Sequence, residues 1–154
     1  MRPIANQGFE SVKSIISILF ILVFFGVAAP QKPRIVTATE ANGTYRYRHN
    51  EIKILALGHN KLRIQMDLTY EYRTSYGPMA NTGEASGEAA IENDTAAFYP
   101  LDDHKCRITI KFLTGNKIKV SEENTMDCGF GMNVTSEGTY TKIKASKPKF
   151  DSDR

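Results

Sequence analysis

Between positions 62 and 72 the chain reads LRIQMDLTYEY, with Leu62, Ile64, Met66, Leu68, Tyr70 and Tyr72 at every second position and polar residues between them. A period of two sustained over this length places every apolar side chain on one face of an extended strand and would scatter them around a helix. The pattern recurs at Cys106, Ile108, Ile110 and Phe112, and in shorter form at Tyr45/Tyr47, Ile52/Ile54/Ala56, Ile118/Val120 and around Tyr140. Two further runs, 83–92 and 95–99, are rich in alanine and glycine and meet at Asn93-Asp94, a tight-turn dipeptide. The spacing therefore predicts eight strands, at 44–48, 51–57, 61–73, 83–92, 95–99, 105–113, 117–123 and 137–144. Gly58-His59-Asn60, Asn93-Asp94 and Gly115-Asn116 punctuate them, and longer loops are expected at 74–82 and 124–136. No 3.6-residue period follows position 29. Short connections make sequence neighbours pair antiparallel, and a meander of eight strands disposes of its edges by closing. The expected fold is all-β, a small up-and-down barrel, with a two-sheet sandwich as the alternative.

Residues 14–29 (SIISILFILVFFGVAA) form an uncharged apolar run preceded by Arg2 and Lys13 and ending in small residues, the layout of a secretory signal peptide. As a helix the run would span about 24 Å at ~1.5 Å per residue, short of the ~30 Å hydrocarbon core, so cleavage after Ala28 is expected rather than a permanent anchor. The organisation read from the chain is a signal peptide at 1–28, a Pro- and Lys-containing linker at 29–40, the barrel at 41–145 and a tail at 146–154, with 151–153 expected to be a free end. Export bears on the two cysteines, because Cys106 and Cys128 both lie in the exported part, where disulfides persist. They are expected to be bonded. The chain-entropy argument values a ring of this size at about 3 kcal/mol.

A formal charge of +3 over 154 residues, with the basic residues dispersed, gives no footprint for nucleic acid. Two cysteines and three separated histidines do not make a metal site, and no cofactor motif is present. His49, His59 and His104 each fall at a turn or strand end. Asp102-Asp103-His104 pairs carboxylates with an imidazole, an arrangement open to acid/base work, yet its place before a strand is that of a solvated turn. No nucleophile elbow or phosphate-cradling loop accompanies it, so the chain reads as non-catalytic.

The runs ANTGEASG at 80–87, with Phe98 following, and DCGFGMNV at 127–134, followed by Gly138-Thr139-Tyr140, resemble a family of small exported bacterial proteins of mostly unassigned function. The resemblance covers roughly residues 41–150 and extends distantly to the small barrel proteins that inhibit lysozymes in bacterial envelopes. It implies a calycin-like barrel of envelope or secreted origin and carries no active site.

For binding, the loop 123–137 holds the most information. Gly129 and Gly131 flank Phe130 beside the expected disulfide, which would root a sharply turned loop. Phe130 has two readings: an aromatic anchor for a partner, assisted by Met126 and Met132, or a plug turned into the barrel end. The loop 74–82 offers Tyr76 and Met79 as further contacts. The expected function is that of a monomeric exported binding protein for an envelope or extracellular protein, an envelope hydrolase among the candidates, touching membrane only through an uncleaved signal segment. The alternative is a carrier of a small apolar ligand within a lumen lined by the 62–72 stripe, Ile108, Ile110 and Phe112.

Overall fold

The computed structural model describes residues 33–151; the expected signal peptide at 1–28 and the last three residues lie outside the described residues. One helical turn, α1 (Ala38–Ala41), precedes eight strands: β1 (Gly43–Tyr47), β2 (Asn50–Gly58), β3 (Lys61–Thr74), β4 (Gly77–Glu92), β5 (Thr95–Phe98), β6 (Arg107–Leu113), β7 (Lys117–Glu123) and β8 (Gly138–Lys144). Each strand pairs antiparallel with the next, and β8 returns to β1, so the meander is a closed barrel. Closure satisfies the backbone groups that an open sheet would leave on two edges.

The alternation decides which side chains go inside. Ile52 and Ile54 from β2, Leu62, Ile64, Met66 and Leu68 from β3, Ile108, Ile110 and Phe112 from β6, and Tyr45, Phe98, Ile118 and Tyr140 are buried in one contiguous cluster. Outward positions carry many charged residues, some of them paired across strands, as in Arg46–Glu51 at 2.7 Å and Lys61–Glu88 at 2.8 Å. Such exposed pairs contribute little stability, ~0–1 kcal/mol each, but they keep the barrel wall from associating with other sheets. The tight turns carry the residues that tolerate a left-handed backbone: Gly58, His59 and Asn60, then Asn93, then Gly115 and Asn116, all at positive φ.

The stretch expected as a linker is packed for most of its described length. Thr37 and Glu40 form a reciprocal capping box that starts α1, with Glu40 N–H donating to Thr37 Oγ1 (3.3 Å) and Thr37 N–H to Glu40 Oε2 (3.0 Å). The Thr37 N–H holds the Glu40 carboxyl below its usual range, with Arg34 assisting. The Tyr45 hydroxyl donates to the carbonyls of Glu40 and Ala41 at 2.9 Å, and the Val36 N–H to Asn93 O at 3.1 Å. Residues 34–41 thereby lie across one end of the barrel.

At the C-terminus the free end expected from Asp151 onward is instead held at Asp151. Phe150 is buried beneath the Arg63 guanidinium, 4.3 Å from its ring centroid, on the outer face of β3. Asp151 N–H donates to Gln65 Oε1 at 3.1 Å, and the Gln65 amide donates to the Asp151 carboxylate. A phenylalanine in a charged C-terminal stretch gave no periodic signal, because its burial depends on a wall that exists only once β2 and β3 have paired.

Candidate functional site

One barrel end carries α1; the opposite end carries the β1–β2 turn, the β3–β4 hairpin and the connections 99–106 and 124–137. Here β3 and β4 outrun their neighbours. The β2–β3 ladder stops at Asp67 and the β4–β5 ladder begins at Ala89, yet β3 and β4 remain paired to the Thr74–Gly77 turn. The expected loop at 74–82 is therefore mostly strand, and its turn is only Ser75 and Tyr76. Pro78, which has no backbone donor, lies within this strand. The Gly131 N–H donates to Thr82 O (3.1 Å), so the even positions of β4 here present their backbone groups away from β3. Pro78 shares that parity, and its missing N–H leaves no ladder bond unmade.

The same over-run corrects the expected lumen stripe. Leu62, Ile64, Met66 and Leu68 point into the core, but Tyr70 and Tyr72 lie on the projecting part, where Tyr70 is 40% exposed and stacks on Tyr72 with ring centroids 6.0 Å apart. Inside the barrel the buried side chains form one contiguous cluster, and each of the four described grooves is partly open.

Cys106 and Cys128 are bonded, with Cα atoms 4.8 Å apart, and both are buried. From this root the 124–137 loop begins with a short 3₁₀ turn (Thr125–Asp127) and crosses to β4. There the Asn81 side-chain amide donates to Met132 O (2.8 Å) beside the Gly131 contact to Thr82. A Cβ on Gly131 would sit 2.7 Å from the Thr82 carbonyl oxygen, so only glycine permits this approach. The far end of the loop is anchored by Glu122, whose carboxylate accepts from the Ser136 N–H and from Thr135 Oγ1, and by Asn50, which donates to Thr135 O at 3.1 Å. The Tyr140 hydroxyl donates to Ser136 O (2.8 Å), and burial pushes its phenol up to about 12, keeping it a donor at any physiological pH.

Phe130 is turned toward the barrel and is only partly exposed. The ring is half-buried against the core cluster and lies on Gly83, where an added Cβ would come within 2.8 Å of it. Gly129, with φ 76°, turns the chain beside Leu101. Phe130→Ala is accordingly expected to cost about 2 kcal/mol, below the 3–5 kcal/mol of a fully buried phenylalanine. Chemical denaturation of the variant checks this, and an unchanged midpoint would show the ring to be idle.

The side chains that do project are Met132 (77% exposed), Tyr76 (97%), Met79 (50%) and the fully exposed Met126. The remaining candidates are placed as turns. His49, His59 and His104 are exposed at separate positions, and no cluster of three metal-ligating side chains occurs among the described residues. Asp103 Oδ1 accepts the Lys105 N–H (3.2 Å), a contact that holds its carboxyl below the usual range, and the His104 ring packs edge-on against Tyr99. Asp103 is thus spent on its own turn.

Sequence reasoning missed a groove of about 480 Å³ at this end, between the β1–β2 turn, the root of the projecting hairpin and residues 133–137. Its signal was the length of the 62–72 alternation, which exceeds what the shorter neighbouring strands can cover. No family model matches the chain, and neither does any curated protein or solved structure.

Proposed function

We propose that the protein is an exported, non-catalytic binding protein that engages a partner protein through the rim at the disulfide end of the barrel. The observation that carries this reading is the brace between the projecting β3–β4 hairpin and the disulfide-rooted loop at Asn81–Met132 and Thr82–Gly131. It presents Tyr76, Met79 and Met132 on backbone that is already ordered, so little conformational entropy is lost on docking. Methionine and tyrosine are residue types enriched at interface cores, and both adapt to a pocket without burying an unpaired charge. The disulfide supports an oxidising compartment, hence the periplasm or the cell exterior. The contiguous cluster of buried apolar side chains inside the barrel favours this surface reading over a lumen carrier.

An envelope hydrolase is the partner to test first. In the test, the purified oxidised protein and its Tyr76→Ser/Met132→Ser variant are titrated against lysozyme-type and other cell-wall hydrolases, following both binding and residual activity. Saturable binding that weakens at least ~10-fold in the variant, about 1.4 kcal/mol, with an unaltered melting temperature, is the expected result. Binding that is indifferent to the double substitution would remove the rim from the interface. The intact mass of the secreted form should match residues 29–154 less the two hydrogens of the disulfide; retention of the N-terminal segment would overturn the cleavage reading.

A further inference from the structure

The missed groove holds three features that belong together. Its mouth carries Arg48, first residue of the two-residue β1–β2 turn, held at φ 54°. Among the eight described non-glycine residues at positive φ, five are asparagine and two histidine; Arg48 alone has a long, unbranched cationic side chain. Nothing in the turn requires arginine, and glycine would adopt this backbone without strain. Strain tolerated at one side chain points to a use for that side chain. Arg46 and His49 beside it face Glu51 and Glu71, whereas among the described residues the contact shown for the Arg48 guanidinium is the Tyr47 ring, 5.2 Å from its centroid. Arg48 is thus exposed and, among the described residues, forms no ion pair with a carboxylate.

The second feature is Tyr70, which leaves the core where the hairpin outruns the barrel and whose orientation is set by stacking on Tyr72. The third is the polar rim opposite, where Asn133 (φ 63°) and Glu137 line the same groove. An aromatic face, two amides, two carboxylates (Glu71, beside His49, and Glu137) and one guanidinium outside any ion pair make a poor site for a purely apolar ligand. One cation is also too few for a nucleic acid backbone. The set matches a sugar that bears a carboxylate: the C–H face of the ring lies on Tyr70, hydroxyls bond Asn133 and Glu137, and the carboxylate meets the planar guanidinium. The groove's size falls in the ~300–1,000 Å³ range of small-ligand sites.

We propose that this groove binds an acidic oligosaccharide of the hexuronate type. The site goes beyond the protein-binding rim and shares none of Tyr76, Met79 or Met132, so either reading can fail alone. The test is an NMR titration of the oxidised protein with trigalacturonate and with a hyaluronan tetrasaccharide, using fully methyl-esterified trigalacturonate as the uncharged control. Saturable shifts at 47–49, 69–71 and 133–137 are expected for at least one acidic probe. Tyr70→Ala should weaken that binding at least ~10-fold with the fold retained. Arg48→Gly should weaken it by roughly 5- to 10-fold, abolish any preference for acid over ester, and leave the melting temperature equal or higher, since the turn strain is relieved. Failure of both acidic probes to saturate, equal binding of acid and ester by the parent protein, or an unchanged affinity in Arg48→Gly would each overturn the proposal.

Discussion

Replacing Cys106 and Cys128 together by alanine is expected to lower the unfolding free energy by about 3 kcal/mol, the entropy that the cross-link removes from the unfolded chain. For a domain of this size the loss corresponds to a melting temperature lower by roughly 10–15 °C. The effect should not be uniform. The loop from Cys128 to Glu137 keeps its Glu122, Asn50 and Tyr140 anchors at one end and loses its root at the other. Amide exchange should therefore accelerate first at Gly131 and Val134, whose N–H groups bond Thr82 O and Gly131 O. Thermal melts of the oxidised, reduced and double-alanine forms check the magnitude, and exchange mapping checks the location. A drop below ~1 kcal/mol would mean that the loop's hydrogen bonds already restrain the chain and that the rim does not depend on the staple.

Phe98→Ala is expected to cost more, about 3–5 kcal/mol, enough to unfold a domain of ordinary marginal stability at moderate temperature. Phe98 is fully buried at the end of β5, a four-residue strand that joins the two halves of the barrel through four pairs to β4 and four to β6. Its cross-strand partners are Ala89 and Ile108, and its ring lies against Gly87, where an added Cβ would be 3.3 Å away. Beside the ring β4 places only Gly87 and Ala89, so little on that side can move into the space vacated by the ring. Urea denaturation followed by circular dichroism measures the loss, and a cost below ~1.5 kcal/mol would show that the seam collapses to fill the cavity. Phe98→Leu, which keeps most of the volume, should recover much of the difference.

Most of the barrel was legible because its signals are local. The β3 stripe, the turns at 58–60, 93–94 and 114–116, and the strand count follow from period-two patterning and from residues that accept positive φ, neither of which needs knowledge of a distant partner. Even β5 could be placed between its turn and the next run despite its alanines. The pairing of Cys106 with Cys128 was legible for the simpler reason that they are the sole cysteines.

The site was less legible, and the three clearest departures share a cause. Met79, on what read as a loop, sits in a strand because β4 continues past β5 and pairs with β3 alone. Tyr70 and Tyr72, in phase with the core stripe, are displaced from the lumen because β2 ends before them. Phe150, in a charged tail, is buried because Arg63 and Gln65 form a surface that receives it. In each case the side chain's environment is set by how other segments pair or pack, by the relative lengths of neighbouring strands for the first two and by residues some 86 positions earlier for the third.

By itself the sequence determined that there are eight strands, which face of the main ones is apolar, where the chain turns except at the β3–β4 hairpin, and which thiols join. Those properties depend on each residue's own backbone preferences and on its near neighbours. Only the tertiary structure decided how far the β3–β4 hairpin outruns the barrel, that Phe130 turns onto Gly83, and that Arg48, Tyr70 and Asn133 line one groove. A barrel closes at one combination of register and stagger, and that combination, rather than the alternation within any strand, sets which in-phase residues reach the core and which are left at the rim.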